Sequence, residues 1–218
     1  MNETNHFLSP NFRGEIKLNI LIQMIIAYLL GSLPSGVWIG KLIYNKDIRE
    51  YGSGNTGATN TFRILGVKAG IAALIMDVLK GTLASLIPIW CNTNIHPIFI
   101  GIFAIIGHVF PLYIKFKGGK AVATSAGVAL ALHPVFLFIF VGIFLIILFT
   151  TSIVSIASIL AVSFAAIGSL FLNDPIFSAI IWVIALLVLY LHRENIKRLR
   201  EGSENKVPFG LRSSKKDK

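Results

Sequence analysis

Three polar segments interrupt an otherwise apolar sequence, and each carries residue types suited to binding phosphate. Residues 51–66 read YGSGNTGATNTFRILG and residues 116–127 read FKGGKAVATSAG, and each segment leads into a predicted helix. Successive glycines let backbone N–H groups converge on an anion, and a helix N-terminus adds a positive field. The first segment offers Gly52, Ser53, Gly54, Asn55, Gly57 and Asn60 as donors or loop formers, with Arg63 as a fixed cation. The second offers Gly118, Gly119 and Thr124, with Lys117 and Lys120. In the third segment, HRENIKRLREG at 192–202, His192, Asn195 and Arg198 recur at i, i+3 and i+6, so a helix there places His192 and Asn195 on one face. The bland alternatives are flexible connectors and a basic anchor at lipid headgroups. An anchor explains the lysines and arginines but not the histidine and asparagine.

Other chemistries fail on context. Gly52, Gly54 and Gly57 match GxGxxG, with Asp77 twenty residues further on. What precedes them, however, is the charged NKDIREY rather than a buried strand, and Asp77 falls inside an apolar helix, so a dinucleotide fold is rejected. The second segment lacks the GxxxxGK[ST] spacing, no GxSxG elbow is present, and no His/Cys/carboxylate cluster has metal-ligand spacing. Asp77 and Lys80, at i and i+3, are expected to pair. His108 reads equally as a packing residue or a ligand. Ser155 and Ser158 share a helix face and either bond backbone carbonyls or line the site. Cys91, the single cysteine, excludes an intrachain disulfide.

The elements that must position these residues follow from composition. The chain has 218 residues, 55% hydrophobic and 14% charged, with mean hydropathy +0.75 and a net charge of +10. A soluble domain averages about 25% charged residues, so a soluble enzyme and a nucleic-acid module are excluded, and the bilayer is the solvent. Apolar stretches fall at about 19–44 (interrupted by GSLPSG, which predicts a kink), 67–90, 96–114, 121–132, 134–150, 153–172 and 175–191. The fourth is too short on its own to cross a core ~30 Å thick, so it reads as a re-entrant or partly interfacial segment or as one lengthened by its flanks, with six spans plus a re-entrant piece the alternative to seven. With the C-terminus inside, seventeen of the twenty Lys and Arg residues are cytoplasmic, and the outer connections carry none after the N-terminal tail. The expectation is an all-α polytopic membrane protein of about seven transmembrane helices, N-out and C-in, with glycine-rich cytoplasmic loops.

GSGNTGATNTFR, FKGGKAVAT and HRENIKRL closely resemble the three cytoplasmic signatures of the bacterial acyl-phosphate:glycerol-3-phosphate acyltransferases, with smaller echoes in DVLKG (77–81) and GHVFP (107–111). The match covers about 18–205, leaving an N-terminal extension (1–17) and a basic cytoplasmic tail (206–218). One departure is Ala121, where many members carry glycine after GGK. The resemblance implies transfer of a fatty acyl group from acyl phosphate to the 1-hydroxyl of glycerol 3-phosphate, giving lysophosphatidate and phosphate, the first acylation of phospholipid synthesis. It implies Ser53 and Arg63 on the glycerol phosphate, Lys120 with the Gly118–Gly119 backbone on a phosphate, and His192 and Asn195 completing the pocket. The proton acceptor is left open between His192 and a substrate phosphate. The expected partners are glycerol 3-phosphate, acyl phosphate and the bilayer, with no metal, cofactor or nucleic acid. The expected state is a monomer in the bacterial cell membrane, with its site facing the cytoplasm. The alternative is a transporter of a phosphorylated anion, which would call for inverted repeats that the sequence does not show.

Overall fold

The structure, a computed structural model, describes residues 10–213. Among them are ten α-helices and no strand. In order they are α1 (Pro10–Gly31), α2 (Ser35–Ile43), α3 (Ala58–Leu65), α4 (Val67–Trp90), α5 (Pro97–Val109), α6 (Val122–Leu132), α7 (Pro134–Thr151), α8 (Val154–Ser169), α9 (Pro175–Leu191) and α10 (Arg193–Arg200). Three segments, Val67–Trp90, Pro97–Ile114 and Pro134–Thr151, are long and apolar enough to cross a membrane. The count rises to five if the bent pairs α1–α2 and α9–α10 each count as one span. At 1.5 Å per residue, the 11-residue α6 reaches only ~17 Å.

The predicted kink is present. α1 and α2 meet at 47° across Ser32–Pro34, because proline removes a donor and disfavours helix in the residue before it. Polar groups at the break then need partners inside the apolar bundle. Lys80 Nζ donates to Leu33 O at 3.1 Å, and the Ser35 hydroxyl donates to Asp77 Oδ1 at 2.9 Å. Lys80 also pairs with Asp77 at 2.8 Å, as the i,i+3 spacing predicts.

Short α6 is held by backbone contact with α4. A Cβ on Gly127 would lie 1.9 Å from Val78 O, and one on Gly81 would lie 2.2 Å from Thr124 O, so neither position has room for a side chain. One apolar core joins α5, α6, α7, α8 and α9 around Ile105, Val128, Phe136, Phe177 and Val188. A second joins α1, α4 and α5 around Ala27, Ala84 and Ala104. Outside these cores, Val135, Phe138, Ile139 and Ile146 of α7 are exposed, as an all-round apolar helix requires when lipid covers it.

At one end of the bundle, Asp174 caps α9 by accepting from Phe177 N at 2.8 Å, and it also meets His96 Nε2 at 3.2 Å and His133 Nε2 at 3.0 Å. This clasp ties three connections together. The three glycine-rich or basic segments gather at the opposite end.

Candidate active site

The first segment is shaped by one side chain. Asp47 caps a 3-10 turn at Ile48–Glu50, and the buried Asn60 then holds the loop above it. Asn60 Nδ2 donates to Ile48 O at 2.8 Å and Tyr51 O at 3.2 Å, while its Oδ1 accepts from Ser53 N at 3.1 Å. Gly52 and Gly54 turn the chain with φ of +62° and +67°, where glycine carries no steric penalty. Gly57 opens α3, with its N–H donating to Asn55 Oδ1 at 3.0 Å. The result presents Ser53, Asn55 and, one turn into α3, Arg63 to a single cavity. Arg63 makes no hydrogen bond or ion pair among the described residues.

The second segment differs from its expected nest. Gly118 N–H donates to Val109 O at 3.1 Å and Gly119 N–H to His108 O at 3.0 Å. These carbonyls lie at the end of α5, where helix acceptors lack internal partners. Both amides are therefore consumed as a cap and do not face a ligand. Glycine is required there for another reason: a Cβ on Gly118 would lie 2.0 Å from His108 O, and one on Gly119 would lie 2.2 Å from His108 Nε2. Lys117 is exposed and off the cavity, and Thr124 is wholly buried between α4 and α6 with its hydroxyl unpartnered among the described residues. What the loop delivers is Lys120. Ala121, which follows, sits in the left-handed region at φ +61°, a physical reason for the glycine common at that place in the family it resembles.

The third segment bends by 52° between α9 and α10. His192 at the bend has Nδ1 2.8 Å from Val188 O. A carbonyl can only accept, so Nδ1 carries the proton and the Nε2 lone pair is left over. Asn195 Oδ1 accepts from Lys120 Nζ, and Asn195 Nδ2 donates to Glu204 Oε1 at 2.7 Å. Glu204 also accepts from the Ser155 hydroxyl at 3.0 Å and, through Oε2, from Arg198 Nε at 2.7 Å.

Glu204 is the residue that sequence reasoning missed, because it reads as one of several scattered acids. The turn at Gly202 (φ +68°) brings it back over the site. Val207 N–H then donates to Ser152 O, and Leu211 N–H to Phe149 O, both at 2.8 Å. The start of the basic tail is therefore strapped across the α7–α8 corner.

These groups form the polar mouth of a cavity of about 440 Å³. Ser53, Asn55, Arg63, Lys120, His192, Asn195, Arg198 and Glu204 line the mouth, with Ser155 and Ser158 beside them. Gly52, Gly54, Gly118 and Gly119 support it from outside the lining. The rest of the cavity runs mainly between α6, α7, α8 and α9, where Phe144, Phe140, Val162, Ala165 and Phe136 make it apolar, while Asp77 and His108 line it on the α4–α5 side. Burial pushes the Lys120 ammonium down to about 8, helped by the Arg198 and Arg63 charges and opposed by Glu204. Burial alone would raise the Glu204 carboxyl, but the hydrogen bonds from Asn195, Arg198 and Ser155 outweigh it and hold the group below its usual value. The mouth thus joins three cations and one carboxylate to a greasy slot, a geometry that suits an amphiphile with an anionic head. Among the described residues no group of His, Cys, Asp and Glu could hold a metal ion.

Comparison with known proteins agrees with this geometry. Residues 21–202 match the family model for glycerol-3-phosphate acyltransferase. The chain is 50% identical over 210 residues to a glycerol-3-phosphate acyltransferase of Streptococcus thermophilus, covering 92% of this chain and 99% of that protein. It is 52% identical over 192 residues to that of Macrococcus caseolyticus, covering 88% and 99%. Crystal structures of PlsY, an integral membrane glycerol 3-phosphate acyltransferase, superpose on it in two forms. The glycerol 3-phosphate form has a TM-score of 0.81 at 38% identity, covering 86% of this chain and 94% of that one. The lysophosphatidic acid form has a TM-score of 0.78, covering 85% and 94%.

Proposed function

The chain belongs to the glycerol-3-phosphate acyltransferase family, and from that premise we propose how its site works, where its acyl group comes from and which way it faces. It is an integral membrane acyltransferase that acylates glycerol 3-phosphate. The transporter alternative has no support among its relatives.

The donor we assign is an acyl phosphate and the acceptor atom is the 1-hydroxyl. Both substrates then carry a phosphate, and Arg63, Lys120 and Arg198 at one mouth match that demand. The single observation that carries the reading is the junction of this cationic mouth with an apolar slot in one cavity. The acyl chain lies in the slot and places its carbonyl carbon at the mouth. Ser53 and Arg63 hold the glycerol phosphate, with Asn55 beside them, while Lys120 and Asn195 hold the donor phosphate. The hydroxyl oxygen bonds to the carbonyl carbon, the carbon–oxygen bond to phosphate breaks, and inorganic phosphate leaves with the electron pair. His192 Nε2 takes the hydroxyl proton, because its Nδ1–H is fixed and its lone pair is unused. Phosphate is a good leaving group, so orientation and charge stabilisation can supply most of the acceleration. The Gly118–Gly119 amides take no part.

We place the mouth on the cytoplasmic side of the bacterial cell membrane, in a seven-span, N-out and C-in arrangement, since seventeen of twenty basic residues then lie inside. One chain supplies the whole site, which supports a monomer. The test is purified protein with acyl phosphate and labelled glycerol 3-phosphate in EDTA, beside an acyl thioester in place of acyl phosphate. Lysophosphatidate and phosphate formed from acyl phosphate alone are expected. Turnover with the thioester only would overturn the donor assignment.

A further inference from the structure

The apolar limb of the cavity runs away from the mouth between α6, α7, α8 and α9. On these four helices, the lining residue furthest along the chain from the polar mouth is Ala129 on α6, Phe136 on α7, Ala165 on α8 and Ile181 on α9. Of these, Phe136 alone is an aromatic ring. It is only 8% exposed and packs at a tilt against Phe140, with centroids 4.6 Å apart, and edge-on against Phe177 at 5.6 Å. Phe177 is fully buried and is itself edge-on to the His133 ring at 4.4 Å, and His133 is bonded to Asp174 in the clasp at that end of the bundle. A second ring and a hydrogen-bonded clasp therefore back the wall, so it cannot swing aside cheaply in an interior packed like this one. On α8, Ser155 at the mouth and Ala165 at the wall are ten residues apart, which is ~15 Å of helix.

We propose that Phe136 sets the upper limit of acyl-chain length by stopping the methyl end of the chain, a role that rests on the acyl group filling the apolar limb. The carbonyl must reach Lys120 and His192, and the far end meets a fixed ring. A chain longer than the limb therefore either displaces the ring or withdraws the carbonyl from the mouth. A shorter chain leaves apolar lining unfilled and forfeits about fourfold in binding for each missing methylene.

The experiment is kcat/KM across a series of saturated acyl phosphates for the wild-type enzyme, Phe136→Leu and Ala165→Leu. Phe136→Leu deepens the limb and is expected to move the optimum to chains about two carbons longer, gaining roughly fourfold for each methylene newly accommodated. Ala165→Leu fills the same end from another helix and is expected to move the optimum to shorter chains. KM for glycerol 3-phosphate is expected to stay within about twofold in both, because the mouth is untouched. Chain-length profiles that coincide in all three proteins would overturn the proposal, as would a shift of Phe136→Leu toward shorter chains. If Phe136→Leu fails to fold, Ala165→Leu decides alone. If wild-type enzyme accepts no acyl phosphate, the donor reading is wrong, and the same series on the donor it does accept still reads the wall.

Discussion

Lys120 and Asn195, seventy-five residues apart in sequence, are joined by a hydrogen bond from the lysine Nζ to the asparagine Oδ1. The other end of that amide donates to Glu204. Asn195 therefore sits between a cation and a carboxylate, with its oxygen toward the first and its nitrogen toward the second. This orientation leaves Lys120 charged, aimed into the mouth and only partly compensated. It makes the lysine sensitive both to pH and to the state of Glu204.

The pH dependence follows from Lys120 itself. Its folded-state value is lowered to about 8, so the ammonium is present below that pH and is lost as pH rises through it. For the free enzyme, kcat/KM is expected to fall above about pH 8, approaching tenfold per further unit. Bound phosphate favours the charged form, so the fall in kcat should lie at higher pH. In Lys120→Arg the cation persists to far higher pH, and the alkaline limb near 8 should disappear even where overall activity drops. An alkaline limb retained unchanged in Lys120→Arg would assign the titration to another group.

Glu204→Gln keeps the shape of the side chain and removes its charge. Glu204 raises the Lys120 value, so its neutralisation should move the alkaline limb below 8. Arg198 also loses its 2.7 Å partner. Turnover should fall on the order of 100-fold, as expected when catalytic groups shift by about an ångström. A pH–rate profile and single-concentration turnover on the same preparation read both effects. A Glu204 with a purely packing role would lower activity without moving the limb.

Much of this site was legible because its chemistry-bearing residues are of types an apolar chain otherwise avoids. Ser53, Arg63, Lys120, His192 and Asn195 all meet at the mouth. The break at Pro34 and the Asp77–Lys80 pair were also readable, since both depend on residues close in sequence. What was not readable depends on distant backbone. The Gly118–Gly119 pair resembles an anion nest until the carbonyls of His108 and Val109 are seen to occupy its amides. Glu204 looks like one more scattered acid until the turn at Gly202 brings it over Asn195. No local pattern carries that information.

The buried pair gives a prediction about stability. Asp77 and Lys80 side chains are 2% and 4% exposed. Asp77→Asn leaves Lys80 charged and uncompensated, at a cost of about 3–5 kcal/mol, seen as a lower melting temperature in detergent. Replacing both, Asp77→Asn with Lys80→Met, removes the orphaned charge and should recover most of the loss. A double variant less stable than Asp77→Asn alone would show that the Lys80–Leu33 bond, rather than the ion pair, holds the α1–α2 break.

The two glycines before Lys120 separate by what their missing side chains would strike. In Gly118→Ala the new Cβ meets the His108 carbonyl, which is backbone and cannot be trimmed away. In Gly119→Ala it meets the His108 imidazole, which can. Both changes should lift the loop off the end of α5 and displace Lys120. The expected result is a raised KM for the phosphorylated substrates, by roughly 10-fold or more for the loss of a charge-assisted contact. Adding His108→Ala should return KM toward the wild-type value in the Gly119→Ala background and leave Gly118→Ala as it was. Measuring KM for glycerol 3-phosphate and for acyl phosphate in the four variants decides it. Equal rescue in both backgrounds would mean that the loop yields as a unit and that the close contacts with His108 do not set the position of Lys120.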